Sequence, residues 1–246
     1  MHALPRAILF DLDDTIVQAY TRPDVAWFAV AEEFTAQLAP LAPSAVVHAI
    51  TASAREFWSD PERHREGRLQ LFEARRRVVE GAFARLAKDG HKAPSSEVAR
   101  RLADRFSAAR EEQITLYPDA HQVVDALRAQ GVLLALVTNG AAELQRAKID
   151  RFDLARRFHH IQIEGEHGFG KPEERAYRHA MTTLGVAAAE TWMVGDNLEW
   201  EVAAPQRLGI HAIWYDPAGE GVPPGSTAKP DRIVQSLSEL LQGATK

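Results

Sequence analysis

The chain has no cysteine among its 246 residues, which excludes disulfides, thiolate zinc sites and a cysteine nucleophile. It has no uninterrupted apolar run approaching the ~18 residues a membrane-spanning helix needs, so no membrane partner is expected. It also lacks a basic surplus. The formal net charge is -5, the wrong sign for a general nucleic-acid surface. A first apolar run begins within a few residues of Met1, leaving no room for a secretory signal ahead of it, and a cytoplasmic protein is the expectation. The hydrophobic share of 46% and charged share of 26% are ordinary for a globular chain of one or two domains.

Apolar, β-branched runs punctuate the sequence at Ala7–Phe10, Val132–Val137, His160–Ile163, Trp192–Val194 and Ile210–Trp214. From Val132 onward they alternate with stretches of helical periodicity. That alternation predicts an α/β fold, a doubly wound parallel sheet with right-handed crossovers. Between the first two runs lie about a hundred residues with no convincing strand. They read instead as amphipathic helices over Asp24–Leu38, Pro43–Trp58, Glu62–Lys88 and Ser95–Thr115, punctuated by Pro40, Pro43, Pro61, Gly90 and Pro94. Such an insertion is too long for a crossover and predicts an all-helical domain with its own core. The expected division is residues 1–16 with 117–246 for the sheet domain and 17–116 for the helical one. The connections near Val17–Thr21 and Leu116–Pro118 would be hinges of a movable lid. Pro217–Pro230 reads as a surface loop, and Asp231–Gln242 as a last strand and helix.

Chemistry-bearing residues gather where the strands end. The first run leads into Asp11-Leu12-Asp13-Asp14-Thr15, and strand alternation puts Asp11 and Asp13 on one face. The second ends in Thr138-Asn139-Gly140, a hydroxyl and amide at a turn suited to an anion. Lys171 follows a glycine-rich stretch and precedes Pro172 at a helix start. A cation is unfavourable at that end of a helix, which argues that its side chain is turned into a site. The run Trp192–Val194 ends in Gly195-Asp196, with a second acid at Glu201. Each segment alone is also an ordinary turn or cap.

The four segments together, each at the expected carboxyl end of a parallel strand, resemble the haloacid dehalogenase-like hydrolases over nearly the whole chain. A helical cap between the first two motifs, with Tyr117-Pro118-Asp119-Ala120 ahead of the second, is similar to subfamily I of that group. The resemblance implies a Rossmann-like core and a Mg²⁺-dependent phosphatase acting on a small-molecule phosphate monoester. Asp11 would be the nucleophile and Asp13 the general acid and base. Thr138 and Lys171 would complete the catalytic set, with Thr15, Asn139 and Lys171 on the phosphate. The metal would be held by Asp11, the main-chain carbonyl of Asp13 and Asp196, with Glu201 behind them. The family's usual second acid is Asp, so Glu201 must bend or act through water.

The alternatives within this fold are a 2-haloacid dehalogenase and a phosphomutase, and outside it a non-catalytic binding protein. Dehalogenases of the family lack the second aspartate, which is present here. The Asp-Leu-Asp-Asp-Thr form with a helical cap resembles nucleotidase-like and acylneuraminate-phosphatase-like members. For substrate choice the candidates are Tyr20, Arg22, His64, Arg65, Arg68 and Arg75 to Arg77, set against a solvated helix face with internal ion pairs. Trp27, Phe28, Phe57, Trp58 and Phe72 read as cap core. The histidines His159, His160, His179 and His211 read as structural or surface groups, and a monomer or weak homodimer is expected.

Overall fold

Ala7–Phe10 forms the strand β1, and every one of its side chains is fully buried. It earns that burial by lying in the middle of a parallel sheet, covered on both faces, where strands read as continuous apolar runs. The computed structural model describes residues 4–20 and 22–242. Its other strands are β2 (Val17–Gln18), β3 (Thr115–Leu116), β4 (Leu133–Thr138), β5 (His160–Ile163), β6 (Thr191–Gly195), β7 (His211–Tyr215) and β8 (Arg232–Val234). Six of them form one sheet in the order β5-β4-β1-β6-β7-β8, all pairs parallel. The chain winds outward on one side of β1 through β4 and β5, then crosses back to β6 on the other side. That reversal makes the carboxyl ends of β1, β4 and β6 the switch point at which such sheets bind ligands. Phe10 lies level with Leu136 on β4 and Val194 on β6, so the residues that follow each strand emerge side by side.

By its contacts the chain divides into two compact units, residues 1–18 with 115–246, and residues 19–114. The cut falls two residues inside the one the sequence pattern suggests. The cause is an antiparallel pairing that the pattern hides: Val17 lies opposite Leu116, and Gln18 opposite Thr115. Two-residue strands carry too little periodicity to be read. This ribbon also corrects the expected helix end at Thr115, since the last helix stops at Gln113. Thr21, expected in a hinge, is outside the described residues.

The helical unit consists of α1 (Pro23–Glu33), α2 (Thr35–Leu38), α3 (Pro43–Ser59), α4 (Pro61–Leu69), α5 (Leu71–Lys88) and α6 (Ser96–Gln113). Two expected helices are each broken in two. Phe34 and Gln70 leave helical geometry, and Gln70 turns out to φ -129°, ψ 54°. Side-chain caps start α4, where Asp60 accepts from the Arg63 amide, and α6, where Ser95 accepts from the Val98 amide; each satisfies a main-chain donor the helix cannot. The core of this unit is Leu38, Ile50, Val79 and Leu102 around a stacked pair, Trp27 and Phe106, with ring centroids 3.5 Å apart and planes 1° from parallel. Phe28 and Phe72 are not part of it, at 42% and 41% exposed, which corrects their expected place in the core.

The helices of the sheet unit are α7 (Ala120–Ala129), α8 (Ala142–Arg151), α9 (Glu164–His167) and α10 (Glu174–Leu184). A π-helical turn, Leu198–Ala203, follows β6 and runs into α11 (Ala204–Gln206). Tyr177, Ala180 and Met181 of α10 pack over Leu9, Ala135 and Met193 of the sheet. No helix among the described residues is long and apolar enough to cross a membrane.

Deleting half of the stacked pair should weaken the helical unit through lost burial and an unfilled cavity. Phe106→Ala is expected to cost about 3–5 kcal/mol, read by urea denaturation followed through tryptophan fluorescence.

Candidate active site

Asp11 is pinned at the end of β1 because its amide donates to Val194 O on β6, at 3.0 Å. The chain then turns sharply. The amides of Thr15, Ile16 and Val17 all converge on Leu12 O, and Asp14 takes a left-handed φ of 57° while its amide donates to Val17 O. This loop carries Asp11 and Asp13 on a rigid frame. Thr15 is fully buried, and its hydroxyl has no hydrogen-bond partner among the described residues.

At the centre of the site is Lys171, 1% exposed. Its ammonium donates to Asp11 Oδ1 at 2.5 Å and is paired with Glu201 Oε1 at 2.8 Å. Burial by itself would drive the Lys171 pKa down, but Asp11 and Glu201 together outweigh it and hold the ammonium up. The main chain of Lys171 is clamped by Asn139: the Lys171 amide donates to Asn139 Oδ1 at 2.8 Å, and Asn139 Nδ2 donates to Lys171 O at 2.6 Å. Asn139 is therefore engaged by its side chain in seating Lys171.

The fourth segment explains its own residues. Gly195 is required because a Cβ there would lie 2.1 Å from Glu201 Cγ. The Glu201 side chain folds back under the strand end, with Oε2 accepting from the Asn197 amide at 2.8 Å. Its extra methylene is thus taken up by bending. Trp214 Nε1 donates to Asp196 O at 2.6 Å and fixes the main chain next to it. Gly170 is likewise needed for close approach, since a Cβ would lie 2.5 Å from Asn139 Oδ1.

Negative charge exceeds positive charge here. Burial first, then Asp11, Glu201 and Asp14, push the Asp196 pKa up to about 9. Glu201 is raised to about 7 by burial, against the pull of Lys171. Asp11 is raised by burial, with Lys171 opposing. Three carboxylates, Asp11, Asp196 and Glu201, around the one ammonium of Lys171 call for a further cation. Among the described residues no three acidic or histidine side chains converge to hold a metal unaided. A cation here would draw on two carboxylates, a main-chain carbonyl, and water or substrate oxygens, the donor mix Mg²⁺ accepts.

Asp13 is held separately. Lys148 Nζ donates to its Oδ1 at 2.6 Å and Oδ2 at 2.8 Å, and Gln145 Nε2 donates to Oδ2 at 3.0 Å. The same Gln145 amide donates to Thr138 Oγ1. Gln145 and Lys148, three residues apart on α8, were not evident in the sequence. Their signal is the one-face spacing on a helix that opens directly after Thr138. Glu164 was missed too. Buried just past β5, it accepts from the Gly140 amide at 3.0 Å and shapes the turn after Thr138.

The candidates for substrate choice are spread over the helical unit. Tyr20 and Arg22 are exposed. Arg76 pairs with Asp104 at 2.8 Å and Arg77 with Glu73 at 3.4 Å, as a solvated face would. His64 and Arg68 contact each other at 3.3 Å. Arg75 departs from that face: it is buried, with its guanidinium 5.3 Å from the centre of the Phe106 ring. Among the histidines, His159 Nδ1 accepts from the Leu134 amide at 3.0 Å, and His179 Nδ1 is bonded to Gln162 Oε1 at 2.9 Å. His160 and His211 lie beside other rings, His179 and Trp192 respectively.

Comparison with known proteins identifies the family. The family model of haloacid dehalogenase-like hydrolases matches residues 5–209. This chain belongs to that family. The haloacid dehalogenase-like hydrolases to which it is similar include the phosphoserine phosphatase of Thermus thermophilus, 40% identical over 145 residues, which are 58% of this chain and 57% of that protein. The chain spans little more than half the length of the curated relatives it matches first. Among solved structures, the magnesium-bound YfnB of Bacillus subtilis superposes with a TM-score of 0.68 at 25% identity, covering 98% of both chains. A 2-haloacid dehalogenase from Pseudomonas syringae pv. Tomato DC3000 gives 0.62 at 25% identity, covering 97% of both.

The Gly195–Glu201 contact is directly testable. Gly195→Ala is expected to lower the unfolding free energy by about 1–3 kcal/mol through overpacking, measured by chemical denaturation. An unchanged stability would mean that Glu201 does not lie beneath Gly195.

Proposed function

We propose that this hydrolase is a phosphatase that cleaves a small-molecule phosphate monoester through a phosphorylated Asp11. The observation that carries this reading is the gathering of three carboxylates, Asp11, Asp196 and Glu201, at the single ammonium of Lys171. Such a site is poised for a divalent cation and, with it, for a dianionic phosphate. Dehalogenation needs neither the cation nor a proton for its halide, and gives Asp13 and Asp196 no task. The likeness to the Thermus phosphoserine phosphatase supports phosphate chemistry.

Mg²⁺ would be held by the Asp11 carboxylate, the main-chain carbonyl of Asp13 and the Asp196 carboxylate. When bound, it supplies charge neutralisation for the non-bridging phosphate oxygens. The likeness to the magnesium-bound Bacillus protein supports this choice of metal.

The rest of the reaction belongs to the chain. Lys171 holds Asp11 in place and faces the developing charge, together with Thr138 and nearby amides. A carboxylate oxygen of Asp11 attacks phosphorus in line. The P–O ester bond breaks, and Asp13 gives its proton to the departing oxygen. Asp13 then takes a proton from water, the hydroxide attacks phosphorus, and the Asp11–phosphate bond breaks to release orthophosphate and the free carboxylate. Glu201 keeps Lys171 placed throughout. Selection among esters falls to the helical unit, since the residues above account only for the phosphoryl group.

Hydrolysis of p-nitrophenyl phosphate should require Mg²⁺, stop with EDTA and fall below detection in Asp11→Asn, with that variant melting like the parent. Turnover persisting in Asp11→Asn would overturn the nucleophile. Turnover unaffected by EDTA would overturn the metal. Mg²⁺ is also expected to raise the melting temperature of the parent protein and not that of Asp196→Asn, a readout independent of activity.

A further inference from the structure

We infer that Lys148, with Gln145, is the positioning device for the proton-transferring carboxylate Asp13, and that it tunes the enzyme toward esters whose leaving oxygen must be protonated. The inference rests on the phosphatase reading above and assigns a role to two residues that none of the four strand-end motifs contains.

Lys148 is 3% exposed, and a lysine is rarely buried without a partner that accounts for it. Its partner is Asp13, 135 residues earlier, engaged through both carboxylate oxygens. Gln145 adds a third donor, on Oδ2. A carboxylate offers about four lone-pair directions, two on each oxygen. Three are filled here: one on Oδ1 by Lys148, and two on Oδ2 by Lys148 and Gln145. The open one is on Oδ1, so the carboxylate is oriented with a single oxygen able to give or take a proton. Because Gln145 also donates to Thr138 Oγ1, the orientation of Asp13 is tied to the hydroxyl at the end of β4. Both residues project from one face of α8, a rigid element whose start is fixed by the turn after Thr138. A proton donor must lie within hydrogen-bond reach of the leaving oxygen, and small displacements of such groups are costly.

Nothing in this geometry serves the attack by Asp11, which is held by a different lysine. Loss of Lys148 should therefore tell on leaving-group protonation and not on phosphate binding. The test compares Lys148→Met and Lys148→Arg with the parent enzyme, in Mg²⁺, on two aryl esters. Phenyl phosphate needs a proton on its leaving oxygen; p-nitrophenyl phosphate departs readily without one. The measured quantity is kcat/KM, which ends at release of the phenol. In Lys148→Met it should fall on the order of 10-fold to 100-fold for phenyl phosphate, part of what a general acid is worth, and about 3-fold or less for p-nitrophenyl phosphate. The inhibition constant for orthophosphate should stay within about 2-fold, and Lys148→Arg, which keeps a charged donor, should recover most of the phenyl phosphate activity.

Equal losses on both esters, or no loss on either, would overturn the inference while leaving the phosphatase reading intact. Failure of the parent enzyme to turn over either ester would instead strike at that reading, and this inference would fall with it.

Discussion

The site is organised around one buried ammonium. Lys171 joins Asp11, from the end of the first strand, to Glu201, from the π-helical turn after the sixth, and neither acid could stay ionised at that depth without it. Much of the surrounding sequence exists to put that nitrogen in place. Asn139 grips the lysine main chain through both amide atoms. Gly170 leaves room for that grip, and Gly195 leaves room for Glu201 to fold under the strand end. The replacement of the family's usual aspartate by glutamate belongs to the same economy. The longer side chain bends back to accept from the Asn197 amide and still meets Lys171, so the charge reaches the lysine without a water between.

The parallel sheet makes this convergence possible. Asp11, Thr138 and Asp196 are far apart in sequence, yet they sit at the carboxyl ends of β1, β4 and β6, neighbours in the sheet. Strand ends of one direction bring polar groups together: Asp11 and Asp196 lie just past their strands, and Thr138 is the last paired residue of β4. The reversal of winding on either side of β1 keeps helices from covering that spot. The carboxylate excess that results is unstable by itself, and the elevation of Asp196 shows where the missing charge is felt.

The fold and the four strand-end motifs were legible because each departs from its local pattern: a buried run stops abruptly on an acid, a hydroxyl or a glycine. Lys171 was legible as a cation set just ahead of a helix, although α10 begins at Glu174, past Pro172, and not at the proline as the pattern suggested. Lys148 and Gln145 were not, because a lysine and a glutamine three apart on a helix match an ordinary solvated face. Only the arrival of Asp13, from the far end of the chain, turns that face inward. The same blindness to distant partners hid the Val17–Gln18 and Thr115–Leu116 ribbon, which shifts the boundary of the helical unit, and it put Phe28 and Phe72 in a core they do not join. The break at Gln70 was announced only by Gly67, three residues earlier, whose carbonyl accepts from the Gln70 amide at 3.2 Å.

Two aspartates separated by one residue thus acquire different chemistry from different lysines. Asp11 is held through Oδ1 by Lys171, within a cluster of competing acids, where the proposed cation and phosphate would complete the charge balance. Asp13 is held through both oxygens by Lys148 and Gln145, and Gln145 ties it to Thr138. The proposed reaction in two halves would use this division. On that reading the attacking carboxylate carries a phosphoryl group and releases it, while its neighbour passes one proton out and takes another in. If one ammonium served both, occupying Asp11 with phosphate would disturb the group proposed to deprotonate water next. Separate buried lysines, one brought in by the loop after β5 and one by the helix after β4, hold the two carboxylates by different means.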